Sequence, residues 1–279
     1  MSIEADPARS GPGAGGQSSA GGHGPSANGS TAMSAVDLTL SFGQRAILSD
    51  VSVDVRRGAV TALIGPTGSG KTTLLRTFNR MNDKVTGYRH AGDVLLEGKS
   101  IWHSGVEVMS LRRKVGMLFQ RPNPFPMSII DNVVAGARAH RLASRAGLKT
   151  LAKQRLQEVG LWDAVHDRLK DSPFRLSGGQ QQLLCLARAL AIGPDVLLLD
   201  EPTSSLDPVA TESIEGLIRR LLPELTVVIV THNLAQARRI ADRTIFLNRG
   251  HMVEHGDTVQ VFEHPVHDET ASYVSGRFG

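Results

Sequence analysis

The sequence predicts an α/β fold with a mostly parallel core sheet, an antiparallel β subdomain and a helical subdomain. Short, almost continuous apolar runs are typical of strands buried on both faces. The chain has four such runs, at residues 60–64, 115–119, 196–199 and 227–230. The segments between them are long enough for crossover helices, which favours parallel pairing. A further strand is expected at 244–248.

The antiparallel β subdomain is expected before and after the first of these runs. Residues 36–40 and 51–55 alternate between apolar and polar side chains, and alternation with period two is typical of strands with one buried face. Another strand is expected within 93–101. Residues 121–172 contain no comparable apolar run but several helical segments, so the helical subdomain is expected as an insert at about 121–175.

The first 32 residues are expected to form a disordered tail. Gly, Ser, Ala and Pro make up 23 of them. Such a segment has too little apolar surface to offset the entropy of ordering it. The folded domain is therefore predicted to span residues 33–279, the length of one large domain.

Composition excludes several classes of protein. A net charge of +4 and only 12 aromatic residues argue against a nucleic-acid partner. The longest purely aliphatic runs have four residues, far from the roughly 20 that cross a bilayer, and the N-terminus shows no secretory signal. The single cysteine, Cys185, cannot form an internal disulfide, which fits a reducing cytoplasm, and is expected to be a small core residue.

The strongest chemical motif follows the first buried run. Residues 65–72 fit the pattern G-x-x-x-x-G-K-[ST], in which glycines let backbone N–H groups point at phosphate oxygens. A helix beginning near Lys71 adds the positive end of its dipole. Lys71 would neutralise the β and γ phosphates, and Thr72 would bind Mg²⁺. The predicted nucleotide-binding residues are Gly65, Pro66, Thr67, Gly68, Ser69, Gly70, Lys71, Thr72 and Thr73.

Two carboxylates follow the run at 196–199. Asp200 would hold Mg²⁺, directly or through water, and Glu201 is suited to polarise an attacking water as general base. The alternative is an acid pair that caps the next helix. His232 follows the run at 227–230, where it could contact the γ-phosphate; the alternative is a structural histidine.

Three weaker patterns have alternative interpretations. The small-residue loop at 176–180 precedes a helical run and could bind an anion or act only as a local cap. The histidines His251, His255, His264 and His267 match no zinc template and are expected to be surface residues. A basic face of one helix is predicted within 138–155, either solvated or in contact with anionic lipid or an acidic partner; its residues are Arg138, Arg141, Arg145, Lys149 and Lys153.

The motifs at 65–72, 176–180 and 200–201, in this order, resemble those of the ATP-binding cassette (ABC) ATPases from residue 33 onward. The resemblance implies a P-loop NTPase fold in which two copies pack head to tail, so that the signature loop of one closes on the ATP of the other. It places Phe42 on adenine, Gln120 at the Mg²⁺ and membrane-partner loop, and His232 at a catalytic switch. The residues expected to reach the other copy's site are Ser177, Gly178, Gly179, Gln180 and Asp207.

Within that family, residues 75–83, 115–129 and 231–233 and the ending 275–279 resemble the ATPase subunits of bacterial phosphate importers. This implies ATP hydrolysis that energises phosphate uptake at the cytoplasmic face of the cell membrane, with ATP and Mg²⁺ as cofactors. The implied partners are a second copy, two integral membrane permease subunits and, indirectly, a phosphate-binding protein. The chain departs from the usual pattern at Phe42, Ser69, Leu183 and Ser205.

Other functions stay open at this point. They are an importer of another small solute, a soluble ABC ATPase of DNA repair or translation, and a P-loop kinase. The 105 positions between Lys71 and Leu176 leave no room for the long coiled-coil arm of the soluble class. A kinase would leave the signature loop and His232 without a role.

Overall fold

Two β-sheets and ten α-helices make up the described part of the chain, residues 30–204 and 206–277 of a computed structural model. The strands, in chain order, are β1 (Thr31–Phe42), β2 (Arg45–Arg56), β3 (Val60–Ile64), β4 (Tyr88–Leu96), β5 (Lys99–Ser100), β6 (Val115–Leu118), β7 (Val196–Asp200), β8 (Thr226–Val230), β9 (Arg243–Asn248) and β10 (His251–Asp257). The helices are α1 (Lys71–Thr77), α2 (Val108–Lys114), α3 (Ile129–Ala139), α4 (Arg145–Glu158), α5 (Trp162–Val165), α6 (Gly178–Leu190), α7 (Pro208–Leu221), α8 (Leu234–Ile240), α9 (Thr258–Glu263) and α10 (Asp268–Val274).

The central sheet has the strand order β10–β9–β3–β8–β7–β6 among the described residues. All of these pairs are parallel except the hairpin of β9 and β10. Every residue of β3, β7 and β8 is buried, which accounts for their continuous apolar sequence. The predicted parallel core sheet is confirmed. Its carboxyl edge brings together the residues that follow β3, β7 and β8.

The second sheet is antiparallel, with the order β2–β1–β4–β5 in the described range. The single strand expected within 93–101 is wrong in its bounds. Glu97 and Gly98 have φ values of 52° and 76°, so they form a tight turn that separates β4 from β5. The strand β4 also begins earlier, at Tyr88.

The N-terminal boundary lies two residues before the predicted one. Thr31 pairs with Arg56 of β2, and Ala32 is 1% exposed. Polar, small residues at 30–32 hide the start of the strand, since the sequence pattern there continues that of the tail. The rest of the tail that was predicted as disordered, residues 1–29, lies outside the described residues.

Helices α3, α4 and α5 and a 3-10 turn at Pro173–Arg175 lie in the range of the expected helical insert. The prediction of one continuous basic helix face over 138–155 is wrong. The helix α3 ends at Ala139, and Arg141 has a φ of 56°, which no helix interior allows. Arg138 belongs to α3 and pairs with Asp131 at 2.6 Å. The exposed basic residues of α4 are Arg145, Lys149 and Lys153.

Each face of the central sheet has its own apolar cluster. Leu197 and Leu199 pack with the helical side, whereas Val196 and Leu198 pack towards the antiparallel sheet, as the alternation of side chains along a strand requires. Cys185 is buried in the helical cluster, as predicted. Among the described helices, none combines the length and apolar character needed to cross a membrane.

Candidate functional site

The loop at residues 65–70 connects β3 to α1 and curls around the Lys71 side chain. Gly65, Gly68 and Gly70 have φ values of 144°, 83° and 102°, a region that strongly favours glycine. The Lys71 Nζ donates to the carbonyl oxygens of Gly65 at 2.7 Å and Pro66 at 2.8 Å. Burial lowers the pKa of the Lys71 ammonium, against the opposing effect of the Glu201 and Asp200 carboxylates. The loop therefore encloses the Lys71 side-chain nitrogen and holds it through two of its own carbonyl oxygens.

Backbone atoms of β9 and of the turn that follows it support this loop. A Cβ at Gly65 would lie 2.0 Å from the carbonyl oxygen of Leu247 in β9. The Gly250 N–H donates to the carbonyl oxygen of Ser69 at 3.2 Å. Ser69, one of the departures noted in the sequence, is buried, and its contact with Gly250 uses only backbone.

Thr72, the second residue of α1, lies next to the end of β7. Its hydroxyl donates to Oδ1 of Asp200 at 2.9 Å. Arg76 donates to Oδ2 of Asp200 at 3.3 Å, and Asp200 is 2% exposed. Arg76 was not among the predicted site residues. The sequence could have predicted Arg76 at this site, because a residue four positions after Thr72 lies on the same face of a helix.

The Glu201 carboxylate lies between Gln120 and His232. Gln120 Nε2 donates to Oε2 of Glu201 at 2.7 Å, and His232 Nε2 lies 2.6 Å from Oε1. Glu201 has a φ of 47°, and its N–H donates to the carbonyl oxygen of Val230 at 2.9 Å. The chain thus turns sharply after Asp200, and the two adjacent carboxylates have different neighbours.

These residues share a cleft of about 580 Å³. Of the predicted site residues, it is lined by Thr67, Gly68, Gly70, Lys71, Thr72, Thr73, Gln120, Glu201 and His232. Arg45 and Ile47 of β2 also line the cleft and were not predicted. The sequence of β2 is that of an ordinary half-buried strand, and these residues reach the site only because β2 packs against the loop.

Several predicted site residues do not line this cleft among the described residues. The Phe42 ring contacts the ring of Tyr88, with centroids 5.9 Å apart. Ser177 and Gln180 form a capping box at the start of α6, with hydrogen bonds of 3.3 and 3.1 Å. Asp207 caps α7 by accepting from the Ala210 N–H at 2.9 Å. Leu183 packs partly buried against the helical cluster.

Two glutamine side chains connect the site to the helices around it. The Gln182 Nε2 donates to the carbonyl oxygens of Phe119 at 2.9 Å and Pro202 at 3.4 Å, so α6 contacts the residues next to both Gln120 and Glu201. Gln236 donates to Thr203 at 3.0 Å and to Glu215 at 3.1 Å. Neither glutamine stands in a recognisable motif, and neither was predicted.

The comparisons with known proteins agree with one another. The family described as ABC transporter matches residues 48–204. The phosphate import ATP-binding protein PstB of Mycobacterium intracellulare is 65% identical over 251 residues, 90% of this chain and 88% of that protein. PstB 2 of Mycobacterium tuberculosis (strain ATCC 25618 / H37Rv) is 64% identical over 248 residues, 89% of this chain and 90% of that protein. PstB 1 of Vibrio cholerae serotype O1 is 52% identical over 249 residues, 89% and 91% of the two chains.

Two solved structures have a similar fold. A bacterial Atm1-family ABC exporter with ATP bound has a TM-score of 0.75 at 25% identity; the match covers 88% of this chain and 42% of the exporter chain. The protein cbiO1 of Clostridium perfringens, part of the ABC transporter complex cbiONQ, has a TM-score of 0.72 at 28% identity, covering 85% and 93% of the two chains.

Proposed function

The chain belongs to the ABC transporter family, as the ATPase subunit of a phosphate importer, and we propose that its cleft binds ATP with Mg²⁺ and that Glu201 activates the attacking water. The observation that carries the site assignment is the position of the Glu201 carboxylate. It lies at the same cleft as the glycine loop and Lys71, with Gln120 and His232 within 2.7 Å of its two oxygens.

The glycine loop and α1 bind the phosphates of ATP. Backbone N–H groups at the start of a helix attract anions, because they lack partners within the helix and lie at the positive end of its dipole. The Lys71 ammonium lies inside the loop, bonded to two of its carbonyl oxygens. It can turn from these carbonyls to the phosphate oxygens without leaving the loop.

The donor set beside the loop fits Mg²⁺, which prefers hard oxygen ligands. The Thr72 hydroxyl and the Asp200 carboxylate are already within hydrogen-bond distance of each other, and the Gln120 side chain supplies an amide oxygen at the same cleft. These three residues would hold the ion together with phosphate oxygens. Bound there, Mg²⁺ would neutralise charge on the β and γ phosphates.

Glu201 accepts a proton from the attacking water while the water oxygen forms a bond to the γ-phosphorus. The bond from that phosphorus to the bridging oxygen breaks, and the products are ADP and inorganic phosphate. His232 and Gln120 fix the carboxylate from both sides, which holds it in one orientation for proton transfer. Asp200 is turned instead towards Thr72 and Arg76.

A second copy of the chain completes the site. The signature loop, residues 176–180, leads into the 13-residue helix α6 but is absent from the described lining of its own chain's cleft. Gly178 and Gly179 leave the approach to this helix N-terminus without side chains, which suits contact with a phosphate. In a head-to-tail dimer this loop and Asp207 meet the ATP that the other copy holds, and Phe42 lies on the adenine side.

Two integral membrane permease subunits dock on the helical side at the cytoplasmic face of the membrane, and a phosphate-binding protein delivers phosphate to them. The segment after Gln120 presents Phe125 and Met127, 42% and 40% exposed. Arg188 of α6 holds this segment through the Asn123 carbonyl oxygen at 2.9 Å and the Phe125 ring at 4.3 Å. The two apolar side chains are therefore offered on a supported segment.

The test uses the full chain with its permease subunits in a bacterium that lacks its own phosphate-import ATPase. Phosphate uptake should be restored by the wild type and by Lys149→Ala, an exposed lysine on α4, but not by Lys71→Ala. Calorimetry with the purified proteins should show ATP binding for the first two only. Restored uptake of a different solute, with no phosphate uptake, would reject the phosphate assignment. Equal ATP affinity in Lys71→Ala would reject the loop assignment.

A further inference from the structure

The last described helix, α10, contacts the first residue of the glycine loop. The Gly65 N–H donates to the Tyr273 hydroxyl oxygen at 3.2 Å. Tyr273 lies 208 positions away in the sequence and belongs to neither the loop nor the strands beside it. We propose that Tyr273 is a positioning residue for the phosphate-binding loop, acting through Gly65; this inference rests on the proposed function, since it concerns the same ATP site.

The Gly65 N–H needs a partner outside the sheet. The ladder between β3 and β9 has its last residue pair at Ile64 and Phe246, so the following N–H lies beyond the strand pairing. With a φ of 144° and the Leu247 carbonyl oxygen 2.0 Å from the place where a Cβ would lie, Gly65 has little freedom to turn this N–H elsewhere. Buried or half-buried backbone donors are nearly always bonded, and Tyr273 supplies the acceptor.

Side-chain contacts hold α10 in place against the sheet. The Tyr273 ring stacks on Phe246 of β9, with centroids 4.9 Å apart and planes at 18°. Glu269, four residues earlier and so on the same helix face, bonds the amide of Asn248 in the same strand. A seven-residue helix has little stability of its own, so these contacts fix where the Tyr273 hydroxyl lies.

Both ends of α10 are also fixed. Glu254 of β10 accepts from the N–H groups of Val266 and His267, at 2.9 and 3.2 Å, just before the helix. At the other end, Gly276 has a φ of 72°, its N–H donates to Tyr273, and the Arg277 N–H donates to Ser272, the pattern of a Schellman cap. The Gly-Arg pair in the chain's ending, singled out in the sequence, therefore terminates the helix that carries Tyr273.

The contact acts on the residue that also holds the loop lysine. The Gly65 carbonyl oxygen accepts from Lys71 at 2.7 Å, while its N–H donates to Tyr273. Without the hydroxyl, Gly65 loses one of the two hydrogen bonds that fix it, and the loop has more conformations to give up when phosphate binds. Burial raises the pKa of the Tyr273 phenol, which keeps the hydroxyl neutral. The contact involves no reacting atom, so we expect it to contribute to binding rather than to the chemical step.

The decisive variant is Tyr273→Phe, which keeps the stack on Phe246 and removes only the hydroxyl. Its Kd and KM for ATP should rise about three- to tenfold, the ratio expected for one neutral hydrogen bond, with kcat within about twofold of wild type. Its melting temperature without nucleotide should fall by only about 2–4 °C, the cost of one unpaired backbone donor. Ser275→Ala removes a hydroxyl from the end of the same helix, where it bonds Ser272 and Arg277 and not the glycine loop, and should leave Kd unchanged.

The outcomes separate this inference from the function on which it rests. If the wild type binds ATP, Lys71→Ala does not, and Tyr273→Phe binds with wild-type Kd, the positioning role is overturned and the function stands. If Tyr273→Phe loses kcat while its KM is unchanged, the role is also overturned, because a binding contact predicts the reverse. If the wild type itself does not bind ATP, the proposed function fails. Tyr273→Leu, which also removes the stack, should lower the melting temperature and provides the reference for a packing defect.

Discussion

The imidazole Nε2 of His232 lies 2.6 Å from the carboxylate Oε1 of Glu201. The two residues follow neighbouring parallel strands, β8 and β7, and the Glu201 N–H bonds the last residue of β8. Gln120, two residues after the end of β6, donates to the other carboxylate oxygen. The residues that follow three adjacent strands therefore meet at the Glu201 carboxylate, the proposed general base.

Glu201→Gln should bind ATP but hydrolyse it very slowly. The amide keeps the shape of the carboxylate but cannot accept the proton, and loss of a general base typically costs about 10²- to 10⁴-fold in rate. Phosphate release under saturating ATP measures kcat, and gel filtration should show an ATP-dependent dimer. Glu224→Gln, at an exposed acid away from the cleft, is the matched control. Phosphate release at the wild-type rate would remove Glu201 from the mechanism.

His232→Ala should lower kcat by about 10- to 100-fold with a smaller change in ATP affinity, because the imidazole orients Glu201 while the loop still binds the phosphates. Steady-state kinetics with a direct Kd measurement separate the two effects. His251→Ala changes an exposed histidine in β10 and should behave as wild type. A loss of ATP binding equal to the loss of rate would show that His232 supports binding instead.

Arg76→Met should lower the stability of the nucleotide-free protein and increase the stabilisation that Mg²⁺ with ADP provides. Arg76 is the cation beside the buried Asp200 carboxylate. Because its side chain is 41% exposed and screened by solvent, its removal should cost only about 1 kcal/mol of unfolding free energy. The uncompensated Asp200 should then favour a divalent cation more strongly. Thermal unfolding with and without Mg²⁺ and ADP measures both effects, and an unchanged or smaller Mg²⁺ shift would contradict the prediction.

The stability contributed by Glu215 should depend on pH. Burial alone would raise the pKa of the Glu215 carboxyl, but donation from Arg239 and Gln236 outweighs it and holds the pKa below the ordinary value. A depressed pKa stabilises the fold above the unfolded pKa of about 4.3, and the contribution is lost as the pH falls through the folded pKa.

Glu215→Gln should therefore be less stable than wild type by about 1–2 kcal/mol at pH 7, and this difference should shrink below about pH 4. Urea unfolding at a series of pH values measures it. Glu212→Gln, at an exposed residue of the same helix, should show little difference at any pH. A gap that stays constant down to pH 3 would mean that packing, and not the charge of Glu215, carries the effect.

The core strands and the main chemical residues were predictable from the sequence because they have local signals. Val60 to Ile64 reads as a buried strand by itself, and the glycine loop, Lys71 and Thr72 follow in a fixed pattern. Asp200 and Glu201 were predictable as strand-end acids, although nothing in the sequence states that Glu201 turns away through a φ of 47°.

The residues that were missed act through tertiary contacts. Arg45 and Ile47 reach the cleft because β2 packs on the loop, and Gln182 and Gln236 bond atoms from distant segments. No periodicity or spacing encodes such pairs. The prediction of one basic helix face within 138–155 failed for a local reason. The regular spacing of charged residues continues through Arg141, where the backbone leaves the helix.

The atoms packed against the glycines at this site limit which substitutions the sequence can accept during evolution. At Gly65 the obstructing atom is the Leu247 carbonyl oxygen, and at Gly250 it is that of Ile47, at 2.0 and 2.5 Å from a Cβ. Every amino acid carries this carbonyl, so no substitution at 247 or 47 can make room for a larger residue at 65 or 250. At Gly70 the obstructing atom belongs to the Leu48 side chain. Positions 65 and 250 are thus closed to compensated replacement, whatever side chain stands at 247 or 47.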